Sequence, residues 1–311
     1  MKKYLSFHLK GEEIFKYFIF LLLIILIPTL IFLNARGWDN SQDLTTSEWI
    51  LVFVLFLFAF FGSLALMFFI YKLSIENVEY DNERLGFSGD MGKFFRIIVK
   101  GILLTVITIG IYLPWFVKEV YGFFIEESSY RQKHFKFLAK ASDLFVVFLL
   151  AFLIPMIILA IFFHDNNYRD YSMKGYLYNN IQTVILAPFI FFYYRWFINI
   201  KFSDFHIKFD ADIMEGIGVV LLQTLLITLT FGIYFPVGYL KIYRYYLNKT
   251  KVEDEAGKKI HLDYEMDSTN DFLFIWGQTL LSIITIGIYS PWAYCKVMGR
   301  VLGKTSLEEL G

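Results

Sequence analysis

Long apolar stretches separated by short polar ones set the rhythm of this chain. Runs dominated by Leu, Ile, Phe and Val occupy 14–33, 49–71, 97–112, 144–163, 177–198, 213–234 and 272–289. Crossing a hydrocarbon core of about 30 Å takes about 20 residues of helix, so these runs predict membrane-spanning helices. The expected fold is a mainly α membrane protein, a polytopic helical bundle. The first run follows a basic start, Met1-Lys2-Lys3. It is longer than the roughly 7–15 residues of a signal-peptide core, and no small-residue cleavage site follows, so it is expected to stay as an anchor.

At the entry to the outward helices the period changes to two. Phe7-x-Leu9-x-Gly11, Leu85-x-Phe87-x-Gly89, Phe135-x-Phe137-x-Ala139, Ile207-x-Phe209-x-Ala211 and Leu262-x-Tyr264-x-Met266 alternate in the manner of strands. Segments 77–89 and 250–266 read as hairpins turning at Asp81-Asn82 and Ala256-Gly257. An isolated hairpin is marginal in water. The strands are therefore expected to form a small cytoplasmic sheet or to pack on helix ends; plain polar connectors are the alternative.

A third pattern recurs: TIGIYLPW at 108–115, TFGIYFPV at 230–237 and TIGIYSPW at 285–292. Gly110, Gly232 and Gly287 suit a left-handed helix end, and Pro114, Pro236 and Pro291 suit the first turn of the next helix. The expectation is a helix corner with a structural job. Two long hairpins open alike, with Leu26-Ile-Pro-Thr answered by Leu153-Ile-Pro-Met. The chain thus divides into a first half at 1–130, a second at 131–252 and a further corner unit at 253–311.

Composition agrees with a lipid solvent: 57% hydrophobic, 20% aromatic and 19% charged residues, with a mean hydropathy of +0.53, against about 25% charged in ordinary soluble domains. The formal charge of zero hides an asymmetry. The loops 34–48 and 164–176 hold only Arg36, Arg169 and Lys174 as basic residues, while the remaining polar segments carry nearly all the Lys and Arg. The positive-inside rule then predicts cytoplasmic termini. The single cysteine, Cys295, excludes an intramolecular disulfide. Basic residues spread among membrane ends argue against nucleic acid.

Motifs for hydrolysis, nucleotide or dinucleotide binding are missing, so no catalytic residue, cofactor or enzyme activity is expected. His8, His134, His164, His206 and His261 never pair at helical spacing, and no metal site is expected. The charges behind each corner are the anomaly: Lys118 and Glu119, Lys241 and Arg244, Lys296 and Arg300. Arms of 12–15 residues rise about 18–22 Å, short for a crossing. Their charges either line a polar interior or snorkel to lipid headgroups from interfacial helices.

The strand entry, helix, GIYxPW corner and basic aromatic arm together resemble the YjgN family of bacterial inner-membrane proteins, tightest over 261–304 and good over 86–130 and 207–250. Val237 departs from the pattern, where Trp115 and Trp292 stand at the other corners. The resemblance implies a multi-pass inner-membrane protein, supplies no substrate, and suggests a membrane-bound metallopeptidase as a partner. For function, internal duplication and the prolines Pro28, Pro155 and Pro188 favour a transporter- or channel-like protein. The alternative is a non-enzymatic scaffold organising lipid or a membrane partner.

Overall fold

The computed structural model describes residues 2–36, 45–163 and 173–310. Strand β1 (Lys2–Phe7) feeds helices α1 (Gly11–Arg36) and α2 (Thr46–Glu76), which return to β2 (Val78–Tyr80). After a turn come β3 (Glu83–Arg84), β4 (Gly86–Phe87), α3 (Met91–Ile107), α4 (Leu113–Glu126) and β5 (Ser128–Tyr130). The pattern continues with β6 (Lys133–Phe137), α5 (Ala141–Val147), α6 (Ile154–Phe162), α7 (Met173–Phe197) and β7 (Asn199–Phe202). Next are β8 (Phe205–Phe209), α8 (Ile213–Leu229), α9 (Phe235–Lys249) and β9 (Thr250–Glu253). The chain ends with β10 (Lys259–Tyr264), α10 (Ser268–Ile284), α11 (Ser290–Gly303) and β11 (Thr305–Leu310). Helices α5 and α6 are continuous through a π-helical turn, Phe148–Leu153, just before Pro155; proline has no N–H for the carbonyl four residues back.

All strands join one antiparallel sheet in the order β3-β2-β1-β11-β10-β9-β8-β7-β6-β5-β4. Its two ends, β3 and β4, are separated by Leu85 alone, so segment 83–87 lies against β2 with its first half and β5 with its second. The Leu85 N–H donates to Val78 O at 2.9 Å and Ser88 N–H to Glu127 O at 3.0 Å, which extends both ladders. The sheet thereby closes into a ring, sealed elsewhere by the N-terminal strand pairing with the C-terminal one, Lys2 opposite Glu308 and Tyr4 opposite Ser306. Closure removes exposed strand edges. Because neighbours alternate in direction, the helices all leave from one rim. The other rim carries Lys2, Leu310 and the tight turns: left-handed Asp81 and Asn82, left-handed Arg131 and Gln132, Ser203, and Gly257 at φ 85°.

This architecture corrects the expected polytopic helical bundle and its small strand appendage. Three helices among the described residues are long and apolar enough to span a membrane: α1 over Gly11–Leu30, α2, and the continuous α5–α6 over Ala141–Phe162. The runs around 97–112, 213–234 and 272–289 are instead 17-residue helices that turn back at a glycine corner. At 1.5 Å per residue they reach about 25 Å. The basic-poor loops, His164 among them, lie largely outside the described residues.

The apolar core sits where helices meet the ring, in clusters at the junctions between neighbouring hairpins. Phe68, Phe94, Ile98, Phe123 and Phe124 join the first hairpin to the second. Phe137, Leu144 and Trp196 of the third pack against Val117, Tyr121 and Ile125 of α4 in the second. Phe191, Phe209, Val220 and Tyr246 join the third to the fourth. Leu9, Ile14 and Cys295 join the fifth back to the first. Close approach is built in: a Cβ at Gly216 would lie 2.0 Å from the Phe191 ring, and one at Gly11 2.5 Å from Trp292.

Candidate functional site

Two features stand out as candidates, the hairpin tips and the fifth hairpin's interior. At each tip Gly110, Gly232 or Gly287 has φ of 87°, 84° or 86° and donates to the carbonyl five residues back: Thr105, Ile227 or Ser282. The corner threonines close the turn, Thr108, Thr230 and Thr285 Oγ1 accepting from the N–H of Tyr112, Tyr234 and Tyr289 at 2.9–3.0 Å. Pro114, Pro236 and Pro291 then open the returning helices. What sequence reasoning missed is the residue before each glycine. Ile109, Phe231 and Ile286 are themselves left-handed, φ 49–51°, a costly conformation for bulky side chains. They are also 93%, 95% and 93% exposed. Three strained, bare apolar tips recur on separate hairpins.

The six charges singled out behind the corners are not brought together in one path. Glu119 pairs with Lys100 at 2.6 Å and accepts from the Tyr112 hydroxyl at 3.2 Å. Lys241 stands over the Tyr234 ring at 5.6 Å, while Lys296 donates to the Tyr289 hydroxyl at 2.9 Å. Arg244 reaches Asp263 at 3.2 Å. Lys118 is half-buried on α4 and makes no ion pair among the described residues. Arg300 alone enters a buried cluster. The corner tyrosines tie the two arms of a hairpin together, Tyr234 donating to Gln223 and Tyr289 to Gln278, each at 2.8 Å.

That cluster centres on Asp271, which is fully buried. Asp271 Oδ1 accepts from Arg300 Nε at 2.7 Å and Lys304 Nζ at 2.6 Å. Its Oδ2 accepts from the Tyr264 hydroxyl at 2.9 Å and the Asp267 N–H at 3.0 Å. Burial pushes this carboxyl up, but the Lys304 and Arg300 bonds outweigh it and hold it below the ordinary carboxylate range. Asp267 caps α10, accepting from Asn270 N–H at 3.2 Å, and so aims Asp271 inward one turn later. At the corresponding place of the other hairpins, four residues past the helix N-cap, stand Ile14, Phe94, Leu144 and Gly216, all buried. Sequence reading passed over Asp271; comparing these aligned positions would have exposed it.

The junction from the fourth hairpin to the fifth is correspondingly polar. Tyr243 shares a hydrogen bond with Thr305 Oγ1 at 3.0 Å and its ring lies 5.7 Å from Tyr264. Trp115 and Trp292 pack on the next hairpin, against Phe145 and Phe15. Where Val237 breaks that pattern, Trp276 of α10 reaches back and donates to Ile233 O of the corner at 2.8 Å.

Helices long and apolar enough to span a membrane, exposed apolar hairpins and a closed strand ring mark an integral membrane protein. The chain belongs to the family described as "Bacterial protein of unknown function (DUF898)", whose profile matches residues 2–261. The segment of tightest resemblance, 261–304, lies almost wholly beyond that match. Inner membrane protein YjgN of Salmonella typhimurium strain LT2 is 30% identical over 116 residues, covering 37% of this chain and 28% of that protein. The matched region is thus under a third of that relative's length. No solved structure gives a significant match. Residence in the inner membrane follows from the relative together with the apolar helices.

Proposed function

We propose that this protein organises the inner-membrane bilayer, without chemistry of its own, by holding helical hairpins of unequal length on one strand ring. The observation that carries the reading is the trio of bare tips, Ile109, Phe231 and Ile286, on hairpins too short to cross. In this reading α1–α2 and α5–α7 cross the membrane, while α3–α4, α8–α9 and α10–α11 enter from the ring side and stop within it. Helices of about 25 Å beside a core of about 30 Å pull lipid thinner at modest cost. The strain at the tips fits lipid insertion, since strain of this kind persists where it serves a function. The basic turns support placing the ring and both termini in the cytoplasm.

Spin labels at positions 109, 231 and 286, in a Cys295→Ser background in phosphatidylethanolamine/phosphatidylglycerol nanodiscs, test this. Collisions should favour dissolved oxygen over a water-soluble nickel chelate, and bilayer thickness should dip beside these hairpins. Water-exposed tips in a uniform bilayer would overturn the reading. A cysteine at Gly257 should stay unlabelled by an impermeant reagent added outside intact cells; labelling would reverse the orientation. Transport is the second reading, favoured by the arrangement of five strand–helix–helix–strand segments around one ring. The local pairing of the arm charges speaks for lipid organisation instead, and solute flux into proteoliposomes decides between the two.

A further inference from the structure

In the second to fifth hairpins the strand leading into the helices pairs with the strand leading out, and one cross-strand position recurs just before Phe87, Phe137, Phe209 and Tyr264. The second and fifth hairpins place Gly86 opposite Ser129 and Asp263 opposite Ser306. The third and fourth place lysine opposite lysine: Lys136 with Lys201 and Lys208 with Lys251. Like charges directly opposite destabilise a sheet, and the other two hairpins close without them. Because Lys201 also lies opposite His206, two residues before Lys208, all four lysines share one face of β6–β9. Lys201 reaches Glu255 at 3.4 Å, and Lys251 pairs with Asp210. The Lys136 and Lys208 side chains make no ion pair or hydrogen bond among the described residues.

The basic face deepens where α7 reaches the ring. A cavity of about 480 Å³ there is lined by Arg195, His206, Lys208 and Lys251, together with the carboxylates of Asp210 and Glu253. Arg195, Lys208 and Lys251 are all exposed. The two carboxylates are already engaged, Glu253 by Lys259 at 3.1 Å and Asp210 by Lys251. The bond from Lys251 and its charge hold the Asp210 carboxyl below the ordinary range, and Arg195 and Lys208 add to the same field. A cation in the last turn of α7 suits the helix dipole, which accounts for Arg195 alone. Lys208 has Asn199 opposite it on one side and Lys251 on the other, so no neighbouring strand offers it an acid directly opposite.

We propose that this cavity binds a phosphate-bearing anion, held by Arg195 and Lys208 with Lys251 at its side. Arg and Lys donate charge-assisted hydrogen bonds to phosphate oxygens, and a bound anion relieves the repulsion between Lys208 and Lys251. The phosphate is supplied either by the headgroup of an anionic phospholipid or by a small soluble phosphate ester. The cavity lies at the rim from which the apolar helices leave, which suits a headgroup. The site is independent of the hairpin tips, so it stands whether or not those enter lipid.

Calorimetric titration of the full chain in an uncharged detergent uses two phosphate probes, dioctanoylphosphatidylglycerol and glycerol phosphate, with dioctanoylglycerol as the phosphate-free control. At least one phosphate probe should bind saturably, and the tighter of the two identifies the source. Lys208→Gln and Arg195→Gln should each weaken that probe about fivefold, the upper end for an exposed ion pair. The ligand-free melting temperature of Lys208→Gln should stay level or rise, since a like-charge pair is removed. Lys93→Gln, on the second hairpin near the Gly86–Ser129 pair, should leave the affinity unchanged. The proposal is overturned if neither phosphate probe saturates, if dioctanoylglycerol binds as well, if Lys208→Gln binds as tightly as the parent, or if Lys93→Gln weakens binding equally.

Discussion

The Tyr264 hydroxyl donates to Asp271 across 2.9 Å, and the two residues stand where the second hairpin has Phe87 and Phe94. Arg300, nine residues after Pro291, likewise answers Phe123, nine after Pro114. Phe87, Phe94 and Phe123 make an aromatic core with ring centroids 5.8–5.9 Å apart along its contacts with Phe123. The same scaffold is therefore closed once by edge-on and tilted rings and once by a buried carboxylate holding two cations. An ionic core of this kind carries a desolvation cost that only complete pairing offsets.

Asp271→Asn should destabilise the protein by about 3 kcal/mol, because Arg300 and Lys304 are left facing a neutral group in a mostly buried place. The triple variant Tyr264→Phe, Asp271→Phe, Arg300→Phe, which installs the second hairpin's residues, should recover most of that loss. Thermal unfolding in detergent reads both. A triple variant no better than Asp271→Asn would show that the two cores are not interchangeable.

Acid should selectively remove the Asp271 contribution. Its folded-state pKa is depressed below 3.8, so the stabilisation is fully present above that unfolded-state value and is lost as pH falls through the folded one. Melting temperatures of parent and Asp271→Asn should differ by a constant amount near neutrality and converge at pH below 3.8. A gap that persists in strong acid would count against the ion pairs as its source.

At the corners, Gly110→Ala and Gly232→Ala meet no atom within 4 Å, so any loss comes from the backbone alone. About 1–2 kcal/mol is expected for a side chain held left-handed, and Gly287→Val should cost at least as much because β-branching adds to it. Conversely, Ile109→Gly should stabilise the detergent-solubilised protein while reducing lipid contact at the tip. Paired melting and oxygen-collision measurements separate the two effects.

Gly101→Ala and Gly216→Ala should fail for a different reason. Each new Cβ would lie 2.0 Å from a ring, of Phe116 and Phe191 respectively, and overpacking at such sites costs about 1–3 kcal/mol. Combining Gly216→Ala with Phe191→Leu should restore stability, which a backbone-conformation defect would not allow.

Local physics wrote much of this protein into its sequence. The Asp81-Asn82 and Ala256-Gly257 turns fall where polar, left-handed-tolerant residues interrupt alternating strands, and the three corners fall at their Gly and Pro because φ preference is a property of single residues. Tertiary structure alone decided which strands pair. Lys2 lies opposite Glu308 although the chain between them is nearly its whole length, and period-two alternation fixes a strand's faces without naming its neighbour. The same holds for depth. The apolar run at 272–289 looks like its longer relatives, yet ring closure and the Gly287 corner return it to the sheet after 17 helical residues. Asp271 reads in sequence as one more polar residue near a helix start. It becomes the centre of a buried ionic core only because β10, α10 and α11 converge on it, and burial, unlike backbone preference, is set by neighbours far away along the chain.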